Sequence, residues 1–141
     1  MAQENVEQQI EELKAKCDEY LNGWKRERAD FLNYKKEEGD RIGTLAKFAN
    51  EEMLLNILPI LDNLLLASAH IKDEGLNMVI KQFQDFLTKE GIEPIETADK
   101  NFDPNIMDAA GGEGEKVSEE LQKGYTLHGK LIRPARVKLS K

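Results

Sequence analysis

The sequence predicts an α+β chain that is mainly α: a long coiled-coil dimerisation helix over 1–50, a helical hairpin over 51–91 and a small β-rich domain over 92–141. Three observations predict it. An apolar seam at alternating spacings of 4 and 3 runs through the first residues, a Leu- and Ile-rich helical periodicity follows, and towards the end proline and glycine become frequent and alternating patterns appear. Charged residues make up 33 % of the chain against 40 % apolar ones, with one Trp, three Tyr and five Phe. So few large side chains suit a solvated helix plus a small core better than one large globule.

Val6, Ile10, Leu13, Cys17, Tyr20 and Trp24 follow one another at spacings of 4, 3, 4, 3 and 4, an a/d seam with polar residues between its members. The same register continues to Phe31, Tyr34, Leu45 and Phe48 but meets Glu27, Glu38, Arg41 and Glu52 where apolar knobs belong, so the seam weakens after Trp24. No proline precedes Pro59, and Gly39 and Gly43 each cost only about 1 kcal/mol in a helix. One helix of about 70 Å is therefore expected. A stripe that narrow and long needs another helix to cover it, and a second copy of the chain is the simplest source. Cys17 would then face its symmetry mate as a small buried residue; a single cysteine allows no internal disulfide.

Leu54, Ile57, Leu58, Leu61, Leu64, Leu65 and Ser68 share a helical face wider than a two-stranded seam. Pro59 is expected to kink this helix or to open a new one. After Lys72-Asp73-Glu74-Gly75 a second run, Leu76, Val79, Ile80, Phe83, Phe86 and Leu87, stops at Gly91, a residue suited to a helix C-terminus. Each helix has more apolar surface than the other can cover, so two such hairpins would close a four-helix bundle in a dimer. Leu54, Leu58, Leu61 and Leu65 are assigned to that interface.

From Ile92 onward the pattern is β. His128-Gly129 between apolar flanks resembles an Asn-Gly hairpin turn, giving strands near 118–127 and 130–139. Ser118-Glu119-Glu120-Leu121 reads equally well as helix. After Glu120 the only charges are Lys123, Lys130, Arg133, Arg136, Lys138 and Lys141, either solvated strand faces or a patch that steers an acidic partner.

Several classes of chemistry fail residue by residue. A net charge of −7 argues against general nucleic-acid binding. Gly111-Gly112-Glu113-Gly114-Glu115-Lys116 lacks the ending of a P-loop and reads as a flexible loop. Asp99, Asn101 and Asp103 open like a calcium loop, but Pro104 replaces the glycine and Ala110 the final carboxylate. His70 and His128 have no ligand partners at metal spacing, and no nucleophile, base and oxyanion hole assemble. No enzyme, no cofactor and no metal are expected. The start MAQENVEQQIEE has no secretory pattern, and no stretch is expected to reach the roughly 20 apolar residues that span a bilayer, so the default is a soluble cytoplasmic protein without membrane contact.

At the C-terminal end, Phe102-Asp103-Pro104-Asn105-Ile106-Met107-Asp108-Ala109-Ala110 and Gln122-Lys123-Gly124-Tyr125-Thr126-Leu127-His128-Gly129-Lys130-Leu131-Ile132-Arg133-Pro134-Ala135-Arg136-Val137 resemble the signature of the GrpE nucleotide exchange factors. Ala29-Asp30-Phe31-Leu32-Asn33-Tyr34-Lys35-Lys36 and Leu58-Pro59-Ile60-Leu61-Asp62-Asn63 are similar to that family's long-helix and bundle segments. The resemblance implies a parallel homodimer whose β domain binds the ATPase domain of a DnaK-type heat-shock chaperone, opens its nucleotide cleft and releases ADP. It also implies chaperone contacts at Asn33, Lys35, Lys36 and Gly75, and along the hairpin at Gly124, Tyr125, Leu127, Gly129 and Arg133. Gly75 reads equally as a simple helix boundary, and Tyr125, with Phe102, Pro104 and Val137, as core or turn. Ser118, Glu120 and Glu37 depart from the family pattern, and the segment before the coil is short, which implies little role for a disordered arm.

Overall fold

The computed structural model describes residues Met1–Lys141 and separates into two compact units, Met1–Ala46 and Lys47–Lys141. Helix α1, Ala2–Phe48, runs without interruption through Gly23, Gly39 and Gly43 and buries none of its residues. At Glu38 and Arg41, where the seam should carry apolar knobs, the two side chains form an ion pair with each other along the helix.

The second unit starts with the last two residues of α1, followed by a turn at Ala49–Asn50 and helix α2, Glu51–His70. The break therefore precedes Pro59, which lies inside α2; the expected kink or new start at the proline gives way to one helix through it. Pro59 is exposed, so its missing N–H leaves no donor-less gap in the core. Helix α3, Glu74–Lys89, starts where Asp73 accepts a hydrogen bond from the Leu76 N–H at 2.9 Å, and Gly91 at φ +84° ends the turn that follows it.

Six strands follow: β1 Ile92–Pro94, β2 Met107–Gly112, β3 Lys116–Gln122, β4 Tyr125–Leu127, β5 Lys130–Arg133 and β6 Ala135–Ser140. They form two three-stranded sheets, ordered β1-β4-β5 and β2-β6-β3. The two-residue turn His128-Gly129 has φ of 47° and 82°, the mirror-image turn that matches strand twist, as its sequence predicted. The expected long strands are corrected. Residues 118–127 divide at Lys123-Gly124 and 130–139 at Pro134, so each half of the predicted hairpin contributes to both sheets. Pro134 lacks the donor a continuous ladder needs. The open choice at Ser118–Leu121 resolves as strand. Gly111-Gly112, expected in a flexible loop, is the end of β2 and pairs in parallel with Lys138 and Leu139 of β6.

The main core joins Leu54, Leu58 and Leu61 of α2, Ile80 and Leu87 of α3, Ile92 of β1, and Tyr125 and Leu127 of β4. The hairpin and the first sheet thus share one interior. Leu58 and Leu61, expected at an interface with a second copy, have no exposed surface within the chain, and Leu54, expected there too, keeps only 5 %. Leu65 packs half-buried against the same core. A smaller core of Met107, Ala135 and Val137, with Phe102, Ile106, Val117 and Leu139 around it, belongs to the second sheet.

The helical stretch Ala2–His70 contains one 18-residue window of mean hydropathy 1.4, long and apolar enough by length and composition to cross a membrane, which the sequence reading had not counted. Leu54, Leu58 and Leu61 of α2 build the main core, while Met53, Ile60 and Leu66 of the same helix are exposed.

Candidate functional site

Three surfaces are in question, and the first is the stripe on α1. Val6, Ile10, Leu13, Tyr20, Trp24 and Phe31 are 45 to 74 % exposed, and Cys17 is exposed beside them. Ile42, which a strict heptad omits, returns to the same face because Tyr20, Phe31 and Ile42 recur every 11 residues. The apolar face is thus longer than the heptad reading allowed. Arg28 lies 5.3 Å from the Trp24 ring centre and Lys35 5.7 Å from that of Phe31, so cations flank two of the seam aromatics.

Asn33, Lys35 and Lys36 do not form one patch. At about 100° per residue, Lys35 stands beside Phe31 at the seam while Asn33 and Lys36 turn to the opposite side. All three side chains are exposed. Gly75 is exposed in the first turn of α3, where a Cβ would come within 2.9 Å of the Asp73 carboxylate oxygen that caps the helix. The helix-boundary reading of Gly75 has a physical basis in that crowding.

The β4–β5 hairpin differs most from expectation. Gly124, Tyr125 and Leu127, read as partner contacts, are buried, and a Cβ on Gly124 would meet the Ala135 backbone nitrogen at 2.3 Å. What the hairpin exposes is its tip, His128, Gly129 and Lys130. The Lys130 ammonium reaches Glu51 at 3.0 Å and lies 5.2 Å from the Phe48 ring, while the His128 ring meets Phe48 edge-on and the His128 backbone N–H donates to the Gly91 carbonyl.

Arg133 is only 13 % exposed. Its Nη1 and Nη2 donate to the two oxygens of Asp62 on α2 at 2.7 and 2.9 Å, and its Nε donates to the Lys123 carbonyl at 3.0 Å. The Gln122 amide reaches the same Asp62 at 3.0 Å. The sequence reading missed Asp62 and Gln122. The available signal was a lone carboxylate one residue beyond Leu61 on an apolar helix, facing a lone arginine in an apolar strand.

Burial holds the Tyr125 phenol up to about 12 against its ordinary 10, with Arg133 pulling it down and Asp62 and Glu120 pushing it up. Between those values the unfolded chain has lost a proton that the native chain keeps, so Tyr125 contributes stability below pH 10 that is lost as pH rises towards 12. Urea midpoints across that window should fall further for the native sequence than for Tyr125→Phe; equal falls would show that the phenol carries no such linkage.

No group of three or more His, Cys, Asp or Glu side chains is placed to hold a metal ion. The GrpE family model matches residues 1–141. This chain belongs to the GrpE family. Among named relatives, the GrpE protein of Alkaliphilus oremlandii is 36 % identical over 98 % of this chain and 81 % of its own length. That of Bacillus velezensis is 37 % identical over 98 % of this chain and 80 % of its own. The GrpE protein of Methanothrix thermoacetophila is 37 % identical over 96 % and 79 %. GrpE membership supports a cochaperone role as nucleotide exchange factor for a DnaK-type chaperone.

Proposed function

We propose that this protein acts as a homodimer that binds the ATPase domain of a DnaK-type chaperone, favours the open form of its nucleotide cleft and thereby speeds ADP release in the cytoplasm, with no catalytic step of its own. The match of the GrpE family over the whole chain carries this reading. Binding energy is sufficient for the effect: a partner that prefers the open cleft lowers ADP affinity by the ratio of its own affinities for the two states.

The dimer is supported by the exposed stripe on α1, which a second copy would bury. With Leu54, Leu58 and Leu61 committed to the chain's own core, the bundle faces fall instead to Met53 and Ile60 on α2 and to Val79 and Phe86 on α3, each pair seven residues apart and exposed. Asn33, Lys35, Lys36, Gly75 and the turn at Gly129 remain the proposed chaperone contacts, because all are accessible. Gly124, Tyr125, Leu127 and Arg133 support that surface from beneath.

Stopped-flow release of fluorescent ADP from a DnaK-type ATPase domain tests the proposal. Release should accelerate with added protein and then saturate. An unchanged rate at saturating protein would refute it.

A further inference from the structure

We infer that Asp62, Arg133 and Gln122 form a pin that fixes both β sheets on helix α2, which makes Arg133 a positioning residue and not part of the surface a partner touches. Asp62 is the only side chain hydrogen-bonded to both sheets: Arg133 belongs to β5 of the first sheet and Gln122 to β3 of the second. Arg133 also holds the Lys123 carbonyl, in the two-residue link that carries the chain from one sheet to the other.

The geometry suits arginine alone. A planar fork can give two parallel bonds to one carboxylate while its third nitrogen bonds elsewhere, and a lysine ammonium cannot do so in that plane. The guanidinium also lies 5.1 Å from the Tyr125 ring centre, so one face is covered as well. The Arg133 and Asp62 side chains are 13 and 16 % exposed, which leaves almost nothing of either for an incoming chain. Gly124 adds rigidity at the same joint, since its Cα packs against the Pro134–Ala135 backbone with no space for a side chain. Removing one partner of such a pair strands a poorly solvated charge, and the joint loosens.

The functional half of the inference rests on the exchange-factor reading, so two readouts are needed on the full-length chain. Arg133→Met, Asp62→Asn and the double variant are compared by amide hydrogen exchange and by ADP release from the ATPase domain. Each single change should speed amide exchange in β3, β4 and β5 by about tenfold or more. Each should also raise the concentration for half-maximal release by about tenfold, with the limiting rate kept. The double variant should be no worse than the poorer single one, because both remove the same pair. If Asp62→Asn matches the native chain in both readouts while Arg133→Met alone weakens release, Arg133 is a direct contact and the pin is refuted; additive losses refute it too. Should the native chain leave ADP release unchanged, the exchange-factor reading fails, and hydrogen exchange alone decides whether the pin exists. Gln122→Ala, which spares the ion pair, guards against misfolded variants. It should loosen β3 while β5 keeps its protection, and native protection in β3 would overturn the inference.

Discussion

Replacing Leu58 with alanine is expected to destabilise the Lys47–Lys141 unit by about 3 kcal/mol, within a range of about 2–5 for leucine deletions in tight cores. Leu58 has no exposed surface and lies among side chains of α2, α3, β1 and β4, so the cavity cannot be closed by moving one element. The helical hairpin and the first sheet should lose stability together. Urea denaturation followed by circular dichroism measures the loss, and Leu66→Ala, at a side chain 60 % exposed, is the control and should stay within about 0.5 kcal/mol. If Leu58→Ala kept its stability and instead weakened association between chains, the residue would belong to a dimer face after all.

The second large effect concerns α1. Leu13→Glu combined with Trp24→Glu should convert the proposed dimer to a monomer at low micromolar concentration. Each position supplies one knob per chain, four in a dimer, and each buried knob is worth about 1.5–3 kcal/mol. Losing about 6 kcal/mol at the low end weakens association by more than about 10⁴-fold, before the cost of burying four carboxylates. Sedimentation should show twice the chain mass for the native protein and the single mass for the variant. A native chain that sediments as a monomer would remove the seam as a dimer interface.

These two expectations show where the sequence was legible. The α1 seam, the stop at Gly91 and the His128-Gly129 turn are written in neighbouring residues, through helical period, a left-handed C-terminus and a two-residue turn that needs positive φ. Leu58 was correctly read as apolar and helical, but periodicity cannot say whether a face meets its own chain or another. That depended on Ile92, Tyr125 and Leu127, which arrive from the β region. Strand β2 was hidden because Ala109-Ala110-Gly111-Gly112 has neither β-branched residues nor alternation; its place is set by parallel pairing with β6, far along the chain. The Asp62–Arg133 pair is separated by 71 residues, beyond the reach of any local spacing rule. Resemblance to the family marked Arg133 as important, but not that its guanidinium is paired with Asp62 and only 13 % exposed, which is the basis for proposing a positioning role.

The central claim is that binding of this protein and binding of ADP oppose each other on one chaperone domain, and linkage makes that claim quantitative. Titrating the protein against a DnaK-type ATPase domain with and without saturating ADP gives one ratio of affinities, and titrating ADP with and without saturating protein gives the other. The two ratios should be equal and well above one. Equal protein affinity with and without ADP would contradict the account.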